Sequence, residues 1–103
     1  MELYCIISIT DHSKAQIMQD LYASCGLHMI FTHLGVGTAR SEHLSLYGLE
    51  ATDKAVVTGV ASASEERQLL KAAKRRLFID IPGNGVMLSI PLKSVAGGRT
   101  LAY

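Results

Sequence analysis

Gly35-Val36-Gly37-Thr38-Ala39-Arg40 opens a stretch that runs through polar residues to Asp53-Lys54, and its reading decides the fold. Ahead of it lies Met29-Ile30-Phe31-Thr32-His33-Leu34, and behind it Ala55-Val56-Val57-Thr58-Gly59-Val60. Both runs are β-branched and apolar and read as strands. Between them come Ser41, Glu42, His43, Ser45, Gly48, Glu50 and Thr52. A tight hairpin would use about two to five residues. The connection here is far longer, and long connections in small domains are often functional or disordered. Gly35 and Gly37 would let the backbone approach a ligand or take positive φ as it leaves the strand. The competing reading is a bulge followed by a plain hairpin tip.

Working outward, residues 3–9 are a short apolar run that predicts a buried strand. Thr10 and Asp11 are candidate N-caps for the segment that follows. Ile17, Leu21 and Cys25, with Met18 and Tyr22 beside them, mark one face of a helix that Gly26 closes at C′. Residues 27–34 read as the second strand and 55–61 as the third. Gly59 marks either a bulge or close packing of a helix. Ser62 and Glu65 have capping-box spacing, and Leu69, Leu70, Ala73 and Leu77 give the second helix its buried stripe. Glu65 and Glu66 lie in its first turn, while Lys71, Lys74, Arg75 and Arg76 crowd its end. That order suits the helix dipole, so the basic cluster reads as a solvated terminus rather than a binding patch. Residues 78–85 break the helix, 86–92 form a fourth strand, and 93–103 are a tail.

Strand, helix, strand, strand, helix, strand is the ferredoxin-like βαββαβ order of the α+β class. It predicts a four-stranded antiparallel sheet with two helices on one face and a long loop between strands 2 and 3. The 103 residues make one domain, 1–103. The strands carry apolar residues on both parities, as in Ile6-Ile7 and Val86-Met87-Leu88, and 49% of the chain is hydrophobic. No helix remains to cover the second face, which points to self-association.

A net charge of +1 and the absence of Trp argue against nucleic acid as a main partner. No apolar run approaches the roughly 20 residues of a membrane span, so membrane insertion is not expected. Met1 leads directly into a strand pattern, and no signal peptide is expected. Cys5 and Cys25 are too few for a disulfide framework and read as reduced thiols of a cytoplasmic protein. Gly35 to Arg40 lacks the third glycine of a dinucleotide fingerprint, and the chain has no Walker A sequence and no CxxC. Of His12, His28, His33 and His43, three copies of one could meet on a trimer axis, but a lone loop histidine is usually just solvated, so no metal residue is assigned. Asp11, Asp20, Asp53 and Asp80 are scattered, and no nucleophile–base pair is visible, so an enzyme is not expected.

The glycines leaving strand 2, the long loop, Lys54 entering strand 3, Gly83-Asn84-Gly85 before strand 4 and Arg99-Thr100 in the tail occur in the order of the P-II family. The chain resembles those nitrogen-regulatory signalling proteins over nearly its whole length. The resemblance implies a homotrimer whose sheets pack together, with ATP, ADP or AMP, or another small anion, bound between subunits. It implies no other cofactor. It also implies that residues 38–53, the T-loop of that family, engage a partner protein, a transporter or an enzyme. The site it implies comprises Gly35, Gly37, Thr38, Lys54, Gly83, Asn84, Gly85 and Arg99. Gly83-Asn84-Gly85 matches the family's phosphate-holding Gly-Asp-Gly, and glycines present N–H groups to polyphosphate without Cβ obstruction.

Two departures bear on that site. Val86 stands where the family has a phosphate-neutralising lysine, and Gly97 stands where a second tail arginine would be. At about 1.5–3 kcal/mol for each charge-assisted bond, their loss weakens a site for ATP by several kcal/mol. The loop is also shorter than is usual for the family, and Tyr47 has no clear match to the tyrosine that some members uridylylate. Residues 38–50 are expected to be among the most mobile. The alternative is a trimeric metal-binding protein of the CutA type, which shares this architecture.

Overall fold

The apolar run at residues 3–11 forms a strand that places its odd and even residues on opposite faces of a sheet, and the two faces have different fates. The computed structural model describes residues 2–27, 29–36, 53–81 and 83–97. The elements are β1 (Leu3–Asp11), a short 3-10 turn (His12–Lys14), α1 (Ala15–Ser24), β2 (Ile30–Val36), β3 (Asp53–Ser62), α2 (Ala63–Arg76) and β4 (Val86–Pro91). The sheet order is β2-β3-β1-β4, and every pairing is antiparallel. This is the ferredoxin-like βαββαβ arrangement expected, with residues 37–52 joining β2 to β3. β4 is an edge strand, which is where Pro91 costs no ladder hydrogen bond.

Ile6, Ser8 and Thr10 of β1 and Ala55, Val57 and Ala61 of β3 are buried on one face. Met18, Leu21 and Tyr22 of α1 and Leu69 and Ala73 of α2 pack onto that face and complete the core. Gly59 lies under α1. A Cβ there would fall 2.7 Å from Leu27 Cδ2 and 3.0 Å from Tyr22 Cδ2, so of the two readings of this glycine, close packing is correct. The one polar cluster of this core is closed on itself. Ser8 Oγ lies 2.5 Å from Tyr22 Oη, which donates to the Val57 carbonyl at 3.1 Å. Burial pushes the Tyr22 hydroxyl up to about 12.

The α2 N-terminus is the capping box its sequence spells. Glu65 N–H donates to Ser62 Oγ at 3.2 Å, and Ser62 N–H donates to Glu65 Oε1 at 2.8 Å. Gly26 takes φ +99 after the α1 C-cap, as expected of C′. Gln19 hydrogen-bonds Thr32 and ties α1 to β2, while Ser89 donates to Glu66 and ties β4 to α2.

Several boundaries differ from the sequence reading. Asp11 sits at the N-cap position of the 3-10 turn but its side chain makes no cap hydrogen bond, and Thr10 lies inside β1. β1 continues through both, and its hydrogen bonding to β3 outweighs a local cap. α1 therefore starts at Ala15 without a side-chain cap. Its buried face is Met18, Leu21 and Tyr22, while Ile17 is exposed. The four-residue spacing of Ile17, Leu21 and Cys25 places that face slightly too far round. β2 begins at Ile30 rather than at residue 27, β3 runs from Asp53 to Ser62, and β4 stops at Pro91.

The other face of the sheet carries Cys5, Ile7 and Ile9 of β1, with Val86, Leu88 and Ile90 opposite them on β4 and Val56, Thr58 and Val60 on β3. Phe31 continues the patch on β2, opposite Thr58. Phe31 is 52% exposed and Leu88 46%, and Ile9, Val86 and Ile90 are also exposed. Both helices lie on the opposite face, so among the described residues this side of the sheet is an apolar surface without a layer over it.

Candidate functional site

Three of the eight expected site residues, Lys54, Gly83 and Gly85, line one pocket at the end of the sheet where β3 meets the long loop. Strand register places Asp11, Lys54 and Gly35 side by side across β1, β3 and β2. Lys54 Nζ donates to Asp11 Oδ1 at 2.5 Å, with the lysine side chain 13% exposed. This cross-strand ion pair is the only one among the described residues. The turn that feeds β4 approaches from the other side of β1. Gly83 takes φ +96 and Gly85 φ +114, a region that only glycine enters without strain. A Cβ on Gly85 would also lie 2.6 Å from the Ile9 carbonyl oxygen. The turn can pass this close to β1 only because the residue is glycine.

Between these parts lies a pocket of about 200 Å³ lined by Ile9, Thr10, Asp11, Lys54, Gly83, Gly85 and Val86. The structure thus brings Lys54, Gly83 and Gly85 together. It adds Asp11 and Thr10, which the sequence reading assigns to helix capping. Their register against Lys54 is a long-range property with no local signature. Gly35 borders a neighbouring pocket of about 280 Å³ with His12, Leu34 and Asp53, and a Cβ on it would meet nothing within 4 Å.

Asn84 is placed differently from its flanking glycines. Its amide donates to the Phe78 carbonyl at 3.0 Å and to the Leu77 carbonyl at 3.4 Å, and its Oδ1 accepts from Lys14 Nζ at 3.4 Å. The side chain therefore ties down the C-terminal end of α2 and faces the helix side, away from the glycine pocket. Gly37, Thr38 and Arg99 lie outside the described residues, as do residues 38–52 of the loop, residues 98–103 of the tail, His28 and His43. Cys5 and Cys25 are free thiols, and among the described residues no three His, Cys, Asp or Glu side chains gather as a metal site. No described helix is long and apolar enough to cross a membrane.

No family model matches the chain, and no curated protein matches it. Solved structures do. The ATP complex of Bacillus subtilis GlnK superposes with a TM-score of 0.66 at 16% identity, covering 96% of this chain and 89% of that one. CPII of Thiomonas intermedia, a nitrogen regulatory PII-like protein bound to ADP, AMP and bicarbonate, gives 0.70 at 13% identity over 93% and 96%. A candidate PII-like signaling protein of Thermus thermophilus gives 0.72 at 9% identity over 98% and 96%. The chain has the P-II fold. That fold is shared over nearly the whole of both chains. At such identities the binding properties of those proteins remain their own.

Proposed function

We propose that this chain is a P-II-like regulatory protein. It binds an adenine nucleotide or another small anion at the Lys54–Gly83–Gly85 pocket and controls a partner protein through residues 38–53. The observation that carries the reading is the convergence of the base of the long loop with the positive-φ glycine turn on one pocket. A ligand there touches Lys54 at the strand end where the loop re-enters the sheet, so it biases loop arrangements by its differential contacts with them. In this reading Gly35, Gly37 and Thr38 frame the start of the loop, Asn84 braces the glycine turn, and Arg99 supplies a cation from the tail. The role is regulatory rather than catalytic, and nitrogen metabolism is the setting that GlnK and CPII suggest.

The apolar sheet face supports a homotrimer in which three such faces pack together. Burying a Phe or Leu side chain contributes about 1.5–3 kcal/mol, and each subunit offers several. The assembly would place the sheet-end pockets beside neighbouring subunits, where a nucleotide gains further contacts. The protein is expected to be cytoplasmic. The metal-binding alternative gains no support from the described residues.

Charge decides which ligand is favoured. Lys54 is already paired with Asp11, and Val86 adds no cation, so the described pocket is close to neutral. A less highly charged ligand such as AMP, or ADP, suits it better than ATP. Calorimetric titration with ATP, ADP and AMP, with and without Mg²⁺, tests the proposal. Micromolar binding of AMP or ADP is the expected result, and the absence of heat with all three overturns the nucleotide reading.

A further inference from the structure

Two cavities share the turn at residues 83–85, and they differ in charge. The second, of about 230 Å³, lies on the helix side and is lined by Thr10, Lys14, Ile17, Met18, Arg76, Leu77, Phe78 and Asn84. Among the described residues neither Lys14 nor Arg76 has a carboxylate partner. The pocket therefore carries two uncompensated positive charges, whereas the glycine pocket carries one that Asp11 cancels. The end of α2 would ordinarily oppose an anion here, because its last carbonyls are the negative pole of the helix. Asn84 reduces that opposition by donating its amide to the C-cap carbonyl of Leu77 at 3.4 Å, and to the Phe78 carbonyl just beyond the helix at 3.0 Å.

Phe78 is the second observation. It has φ +50, a left-handed conformation that is unusual for a bulky residue, and its ring is 57% exposed. Its carbonyl is held by Ile81 N–H at 2.9 Å and by Asn84 at 3.0 Å, so the surroundings impose the conformation. Strain maintained in this way collects at binding sites. Here it presents an aromatic side chain at the rim of a cationic pocket, near the equally exposed Ile17.

We infer that this helix-side pocket is a second ligand site, for a small organic anion that joins a carboxylate or phosphate to an apolar or aromatic body. Lys14 and Arg76 take the anionic group, and Phe78, Ile17 and Leu77 take the body. Burying the apolar part of such a ligand is favourable, and charge-assisted bonds hold its anionic end. The site is separate from the nucleotide pocket and does not rest on nucleotide binding.

The experiment is an amide NMR titration of the full chain with phenyl phosphate, alongside inorganic phosphate. The expected shifts with phenyl phosphate are at Lys14, Ile17, Leu77, Phe78 and Asn84, with markedly weaker binding of inorganic phosphate. The double variant Lys14→Gln, Arg76→Gln is expected to lose roughly tenfold or more in affinity. Phe78→Gly accepts the same backbone conformation, so it keeps the fold and isolates the ring. It is expected to weaken phenyl phosphate while leaving inorganic phosphate unchanged. Absence of shifts at millimolar phenyl phosphate overturns the inference. Unchanged affinity in the double variant does so as well, and so do shifts confined to Ile9, Asp11 and Lys54, which would place the anion in the glycine pocket instead.

Discussion

Asp11 and Lys54 face each other across β1 and β3 at the end of the sheet, joined by an ion pair at 2.5 Å. The carboxylate pairs with the one cation that the described residues give the glycine pocket and offsets its charge. Asp11→Asn is therefore expected to raise the affinity for ADP severalfold at low salt, with the gain fading as ionic strength rises. Because Asp11 is 37% exposed, the stability cost should stay at or below about 1 kcal/mol. Titration of the variant beside the parent at two salt concentrations checks both statements.

Gly85 and Gly35 make a contrasting pair. Gly85→Ala places a Cβ against the Ile9 carbonyl at φ +114, and the loss should be roughly 1–3 kcal/mol in urea denaturation, together with loss of ligand binding. Gly35→Ala meets open space and should change stability by no more than about 0.5 kcal/mol. An equal cost at both positions would mean that the turn does not approach β1 as closely as described.

Tyr22 makes stability fall in alkali. Its folded value of about 12 lies above the ordinary tyrosine value of 10.0, so above pH 10 the folded state holds a proton that the unfolded state has released. The contribution is complete below pH 10 and is lost as pH rises from there to about 12. Two units correspond to at most about 2–3 kcal/mol. Tyr22→Phe should remove this alkaline slope from urea midpoints measured across that range. It should also cost about 1–3 kcal/mol at neutral pH, because the Val57 carbonyl and Ser8 lose a buried partner.

Leu88 stands at the middle of the uncovered sheet face, opposite Ile7. If this face packs the proposed homotrimer, Leu88→Asp should leave a monomer in sedimentation equilibrium where the parent chain is a trimer, since burying an unpaired carboxylate costs several kcal/mol. A trimer that survives this substitution would mean that subunits meet elsewhere.

Local chemistry was legible before the fold. Ser62 and Glu65 close a capping box within one turn, Gly26 ends α1, and the alternation of β1 and β3 announces a sheet, because each depends on residues a few positions apart. The face of α1 was legible only approximately. A helix can bury either flank of Leu21, and the sheet beneath it chose Met18 and Tyr22 over Ile17.

By itself, then, the sequence determined the order of elements, the glycines of the β4 turn and the excess of apolar surface, since backbone freedom and hydrophobic period are properties of short segments. Only the tertiary structure decided what these residues face. Asp11 became the partner of Lys54 and not a helix cap, because β1 runs on in register with β3. Asn84 turned from its flanking glycines toward Lys14, 70 positions away, because the carbonyls of Leu77 and Phe78, at and just past the end of α2, accept its amide. Such contacts are set by the packing of distant segments, and no local pattern of residues encodes them.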